Sequence, residues 1–223
     1  MSGKNILVIN FKTYREATGN NAEHLARAIE HAVNGTKGRI VLAPQVTDLH
    51  QISHTVSLDV FSQHVDPITP GSHTGWILPE SVKANGAIGS IINHSEHRME
   101  LDKIESTVKR CKELGLETIV CVETLEEGLK IAKLKPDYLA YEDPELIGSG
   151  RPISKEKPDS VREFAETIKK DFPEVTIICG AGISSGEDVK KSIELGCNGV
   201  LVASAIVKSH NPEAIVREMA RYL

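Results

Sequence analysis

Five stretches of this 223-residue chain place polar side chains directly after short apolar runs. Asn10 and Lys12 follow "NILVI" and alternate with Phe11, so both can project to the same side. A fixed ammonium there would offset charge developing on an oxyanion. Asn93, His94, Ser95 and Glu96 follow "AIGSII". The next residues, "SEHRMELDKIE", read as a helix start, and a helix N-terminus beside an imidazole favours the neutral ring. A neutral imidazole can donate a hydrogen bond to a carbonyl oxygen. Glu142 follows "DYLAY" and is itself followed by a proline and "GSG", an acid at a strand end beside a loop built to move. "GAGISSG" and "ASA" follow the last two runs, and successive backbone N–H groups in such turns can cradle an anion. Each feature has a plainer reading: a solvated lysine, a satisfied rim histidine, a tight turn at Gly180 and Gly182.

The elements that must position these residues are legible as apolar runs. Eight of them recur: "NILVIN", "RIVLAP", "LDVFSQHV", "AIGSIINH", "ETIVCVE", "DYLAYE", "VTIICGAG" and "GVLVAS". Most are continuously apolar, which suits parallel strands covered on both faces. The segments between them carry helical signals. Ala22, Leu25, Ala26, Ile29 and Val33 form one apolar stripe, and Val161, Phe164, Ala165 and Ile168 form another. Thr124 with Glu127 has capping-box spacing, and Asn211-Pro212 reads as a helix start. The helices after the second and third strands read as short or irregular. Eight β-then-α units predict an α/β fold, a (β/α)8 barrel forming a single domain over 1–223. A doubly wound sheet is the rival. In a barrel the site lies at the carboxyl ends of the strands, where the polar residues above are found.

Composition narrows the partners. The net charge is −5 and 40% of residues are apolar, which argues against nucleic acid and anionic membranes. A small anionic ligand would need a local positive site. Cys111, Cys121, Cys179 and Cys197 show no CxxC spacing and read as reduced core thiols, favouring a cytoplasmic location. "MSGKNILVIN" lacks the pattern of a secretory leader, and no segment approaches a membrane span. His50 and His54, and His94 and His97, have helical spacing. No third ligand stands at a recognised metal spacing, so no metal is expected.

Taken together, the strand-end motifs resemble the triosephosphate isomerase family over the whole chain, particularly its short archaeal branch. "INFKTYREATG", "NHSEHR", "YEDPELIGSG", "CGAGI" and "VLVASA" stand in the family's order, one per strand end. The resemblance implies interconversion of dihydroxyacetone phosphate and D-glyceraldehyde 3-phosphate, with no cofactor. It implies that Glu142 takes a proton from carbon, His94 polarises the carbonyl and Lys12 stabilises the charged intermediate. Asn10 and Phe11 would help hold the substrate, and backbone amides at Ile147, Gly148, Gly182, Ala203 and Ser204 the phosphate. "IGSG" would be the tip of a lid and Asp143 a support facing away. Tyr14, Glu96 and Arg98 would be supports near the site. The family also implies self-association, a homotetramer or a dimer, with the Thr74 loop reaching a neighbour's site. Two other functions fit the residues: a phosphate-binding lyase with a Schiff base on Lys12, and a sugar-phosphate sensor without turnover.

Overall fold

Eight short parallel strands pair in chain order and close on themselves. They are β1 (Ile6–Asn10), β2 (Arg39–Ala43), β3 (Asp59–Ser62), β4 (Gly89–Ile92), β5 (Glu117–Val122), β6 (Tyr138–Tyr141), β7 (Thr176–Cys179) and β8 (Gly199–Val202). The computed structural model describes residues 5–223. Residues 1–4, part of the stretch read as lacking the pattern of a secretory leader, lie outside the described residues. The pairing of β1 with β8, in register from Ile6↔Gly199 to Ile9↔Val202, closes the ring. It also excludes the doubly wound sheet.

Among the described residues, ten α-helices wrap the ring: α1 (Asn20–Ala32), α2 (Leu49–Thr55), α3 (Pro79–Ala84), α4 (Leu101–Leu114), α5 (Leu125–Ala132), α6 (Ile153–Glu156), α7 (Pro158–Asp171), α8 (Gly186–Glu194), α9 (Ser204–Val207) and α10 (Pro212–Ala220). The two predicted stripes are the buried faces of α1 and α7. The helices after β2 and β3 are short, as their weak periodicity suggested. Asn211 caps α10 by accepting the Ala214 N–H at 3.1 Å. The expected capping box at α5 is only half made. Thr124 Oγ1 accepts the Glu127 N–H at 3.1 Å, but Glu127 Oε2 accepts from the Glu123 N–H at 2.8 Å instead of turning back to Thr124. Among the described residues no helix is long and apolar enough to cross a membrane.

Strand alternation divides the core into two layers. Ile6, Val8, Val41, Phe61, Ile119 and Ile178 point into the barrel. Leu7, Ile9, Leu42, Ile92, Val120 and Ile177 pack outward against the helices. Arg39 closes the amino end of the barrel interior. Its guanidinium reaches Asp59 (2.7 Å), Glu117 (2.6 and 2.9 Å) and the Tyr138 hydroxyl (2.6 Å). Burial works against this charge, but Glu117 and Asp59 more than offset that and hold the guanidinium protonated.

Candidate active site

At the carboxyl end the inward parity of β1 continues. Ile6 and Val8 point inward, and so does Asn10 at the strand's end, while Phe11 points out. The Phe11 side chain is fully buried between the barrel and the helices and does not line the cleft. Its position is set by packing, and the Phe11 N–H donates to the Ala43 carbonyl at 3.0 Å. Lys12 then turns back over the barrel mouth with φ +48, a conformation that costs a non-glycine residue energy. Two neighbours hold it there. The Lys12 N–H donates to Asn10 Oδ1 at 2.9 Å, and Gln63 Nε2 donates to the Lys12 carbonyl at 3.0 Å. Asn10 Nδ2 keeps no partner among the described residues.

Glu142 leaves β6 with its N–H bonded to the Val122 carbonyl at 2.9 Å. It is 4% exposed, and its Oε2 has no hydrogen-bond partner among the described residues. His94 Nε2 stands 3.8 Å from that oxygen, too far for a hydrogen bond. Burial, then the Glu142 carboxylate, pushes the Cys121 thiol well above its ordinary pKa. Cys121 is thus an inert floor beneath the carboxylate.

The histidine loop differs from expectation. α4 begins at Leu101, seven residues past His94, so the helix does not start at the ring. The Glu96 N–H donates to His94 Nδ1 at 3.2 Å instead. A backbone N–H can only donate, so Nδ1 accepts, and the neutral ring carries its proton on Nε2, facing Glu142. The expected neutral donor is therefore available by a different device. Glu96 also pairs with Lys12 Nζ at 2.7 Å through Oε1.

Sequence reading missed the anchor behind this loop. Asn93 adopts φ +61. Its Nδ2 donates to the Cys121 carbonyl (2.9 Å) and Glu127 Oε1 (3.2 Å), and its Oδ1 accepts from the Met99 N–H (2.9 Å). Glu127 also pairs with Arg98. The residues lie about thirty positions apart, and only the αL tolerance of asparagine hints at the arrangement.

Lys12, His94 and Glu142 share a cleft of about 280 Å³ with Ile147, Gly148 and Gly182. Ala203 and Ser204 form another part of its wall. The N–H groups of Gly148, Gly182, Ala203 and Ser204 make no hydrogen bond among the described residues. The Ile147 N–H, by contrast, is committed to the Pro144 carbonyl at 3.3 Å. Gly182 must be glycine: its φ is +74, and a Cβ would overlap the Arg151 carbonyl. Asp143 faces away, accepting the Glu145 N–H at 3.0 Å and pairing with Lys157. Tyr14 lines the cleft itself, with Lys208 Nζ 4.3 Å from its ring centroid.

A second cleft of about 540 Å³, lined by Glu96 and His64, adjoins the first along Asn10, Lys12, Tyr14 and His94. Thr74 is exposed and lines neither cleft, and Trp76 beside it is 54% exposed. Among the described residues no group of three histidine, cysteine or acidic side chains could hold a metal.

The sequence profile described as triosephosphate isomerase matches residues 5–219. The triosephosphate isomerase of Methanocaldococcus jannaschii is 46% identical over 218 residues, covering 98% of this chain and 100% of that protein. That of Methanobacterium bryantii is 46% identical over 214 residues, covering 96% of this chain and 95% of that protein. That of Methanothermus fervidus is 47% identical over 214 residues, covering 96% of each. A barrel mouth with this strand-end chemistry, matched along almost its whole length by archaeal relatives, places the chain in the triosephosphate isomerase family.

Proposed function

We propose that the protein interconverts dihydroxyacetone phosphate and D-glyceraldehyde 3-phosphate through an enediolate, with Glu142 as the base. The observation that carries this reading is the buried Glu142 carboxylate, unpartnered at Oε2 and facing the proton-bearing nitrogen of His94. A carboxylate oxygen without a protein partner is free to take a proton from carbon and return it to the neighbouring carbon. His94 Nε2 donates to the carbonyl oxygen as it becomes an enediolate oxygen, and the Lys12 ammonium offsets the same charge. A glutamate base beside a neutral histidine is the arrangement known for this family.

The phosphate is held by the unbonded N–H groups of Gly182, Ala203, Ser204 and, in the lid, Gly148. The Ile147 N–H joins them only if its turn to Pro144 opens. Asn10 Nδ2 contributes a side-chain donor. Closure of the segment from Ile147 to Gly150 excludes water and protects the enediolate from losing phosphate. In this reading Lys12 stabilises charge and forms no Schiff base.

The protein works as a homotetramer, or a dimer, in which the exposed Thr74 loop of one copy reaches the second cleft of another. The exposed Trp76 beside that loop supports this arrangement. Four buried free cysteines support a reducing, cytoplasmic setting. An assay coupling glyceraldehyde 3-phosphate consumption to dihydroxyacetone phosphate formation tests the reading. Turnover is expected in the native protein and near-complete loss in Glu142→Gln. Wild-type turnover in that variant would remove Glu142 as the base.

A further inference from the structure

Behind the lid, α6 carries one lysine, and the residue just after it is another. They reach in opposite directions. Lys157 pairs with Asp143, which caps the turn at the start of the lid. Lys155 Nζ lies 2.6 Å from Asp188 Oδ1. Asp188 is 1% exposed, and its Oδ1 has no partner other than Lys155 among the described residues. Its second oxygen, Oδ2, gathers three donors: the Ser184 N–H (3.0 Å), the Ser184 hydroxyl (3.1 Å) and the Ser185 N–H (3.0 Å). Those serines immediately follow Gly182 and Ile183. The segment leaving the lid is laid along the same turn. The Ile153 N–H donates to the Ala181 carbonyl at 3.1 Å, and the Arg151 carbonyl fills the space where a Cβ of residue 182 would stand.

We infer that Lys155 and Asp188 form a positioning pair that holds the Gly182 turn in register with the rear foot of the lid. Through it the Gly182 N–H and the lid's Gly148 N–H converge on one phosphate. The inference rests on the phosphate site proposed above. Its physical basis is the division of labour within one buried carboxylate. One oxygen organises the turn, and the other is left for a cation on the lid side. Burial opposes the Asp188 charge, and Lys155, Ser184 and Ser185 more than offset it, keeping the carboxyl below its usual pKa. Without Lys155, Oδ1 is buried and unpaired, so the carboxylate must shift, and Ser184 and Ser185 shift with it.

Lys155 is half exposed, so Lys155→Met leaves the fold's packing intact. The experiment measures KM and kcat for glyceraldehyde 3-phosphate, competitive inhibition by inorganic phosphate, and thermal unfolding. It compares native protein, Lys155→Met and Lys155→Arg. In Lys155→Met the KM and the phosphate inhibition constant are expected to rise roughly five- to tenfold, with a smaller change in kcat, a size typical of coupling between neighbouring sites. Lys155→Arg keeps the cation and is expected to restore both. An unchanged phosphate inhibition constant in Lys155→Met overturns the pair as a positioning device, whether or not the melting temperature falls. An equal loss in Lys155→Arg overturns it as well. Native protein that turns over no triose phosphate, or is not inhibited by phosphate, overturns the underlying site instead.

Discussion

The barrel carries an ionic cluster at each end, and the two are opposites in how far their charges are answered. At the amino end, Arg39 from β2 meets Asp59, Glu117 and Tyr138 from β3, β5 and β6, every contact at 2.9 Å or less. The guanidinium also lies 5.7 Å from the Phe61 ring centroid and seals the barrel floor. At the carboxyl end, Lys12, His94 and Glu142 come from β1, β4 and β6. Among the described residues, Lys12 alone of the three has an ion pair as short as 2.7 Å, to the half-exposed Glu96. His94 and Glu142 stop 3.8 Å apart, and one Glu142 oxygen stays unpartnered. A satisfied cluster stabilises the scaffold. An unsatisfied one holds donors and acceptors ready for atoms that arrive later.

Exchanging charge for a neutral group should therefore have opposite effects at the two ends. The largest expected effect is Glu142→Gln, which lowers kcat by about 10²–10⁴. The melting temperature should hold or rise, because a buried unpaired charge has gone. A lower melting temperature with retained turnover would make this cluster a structural one. Next comes Lys12→Met, for which kcat/KM falls by about 10²–10³. Steady-state kinetics should show a raised KM too, since the ammonium acts on bound substrate and transition state alike. Arg39→Met should reverse the pattern. Urea unfolding is expected to show a loss of about 1–3 kcal/mol, discounted for partial exposure, with kcat per folded molecule unchanged. A fall in kcat there would mean that the floor and the mouth are coupled. The smallest effect is expected for Phe11→Leu, which should cost about 1 kcal/mol of stability and leave KM unaltered. A raised KM would make Phe11 a substrate contact.

The mouth was more legible in the sequence than the floor. Lys12, His94 and Glu142 each follow a continuous apolar run, and a buried parallel strand advertises its own end. The Arg39 cluster joins residues up to 99 positions apart, and nothing local marks them as partners. The same holds for Glu127 and Asn93, 34 positions apart, although they anchor the loop that carries His94. Where local reading failed, tertiary competition explains it. Glu127 has capping-box spacing, but its carboxylate is drawn to Asn93, Arg98 and the Glu123 N–H. "SEHRMELDKIE" has helical composition throughout, but its first residues form the turn that presents an N–H to His94. The Ser185–Asp188 capping box, by contrast, has a purely local signature, a serine and an acid three residues apart at the start of α8.

The β1–β8 seam has a consequence for how the protein comes into being. Lys12 stands just past the first strand, and Ala203 and Ser204 just past the last. They become neighbours only when Ile6–Ile9 zips against Gly199–Val202. Such a distant pairing is among the slower steps available to a folding chain, because the whole intervening loop must be brought together first. During synthesis the ammonium is thus made early and waits for its phosphate cradle until almost all of the chain has emerged. Catalytic competence is a property of the finished circle, and a truncated or stalled chain holds the two halves of the site without the wall that joins them.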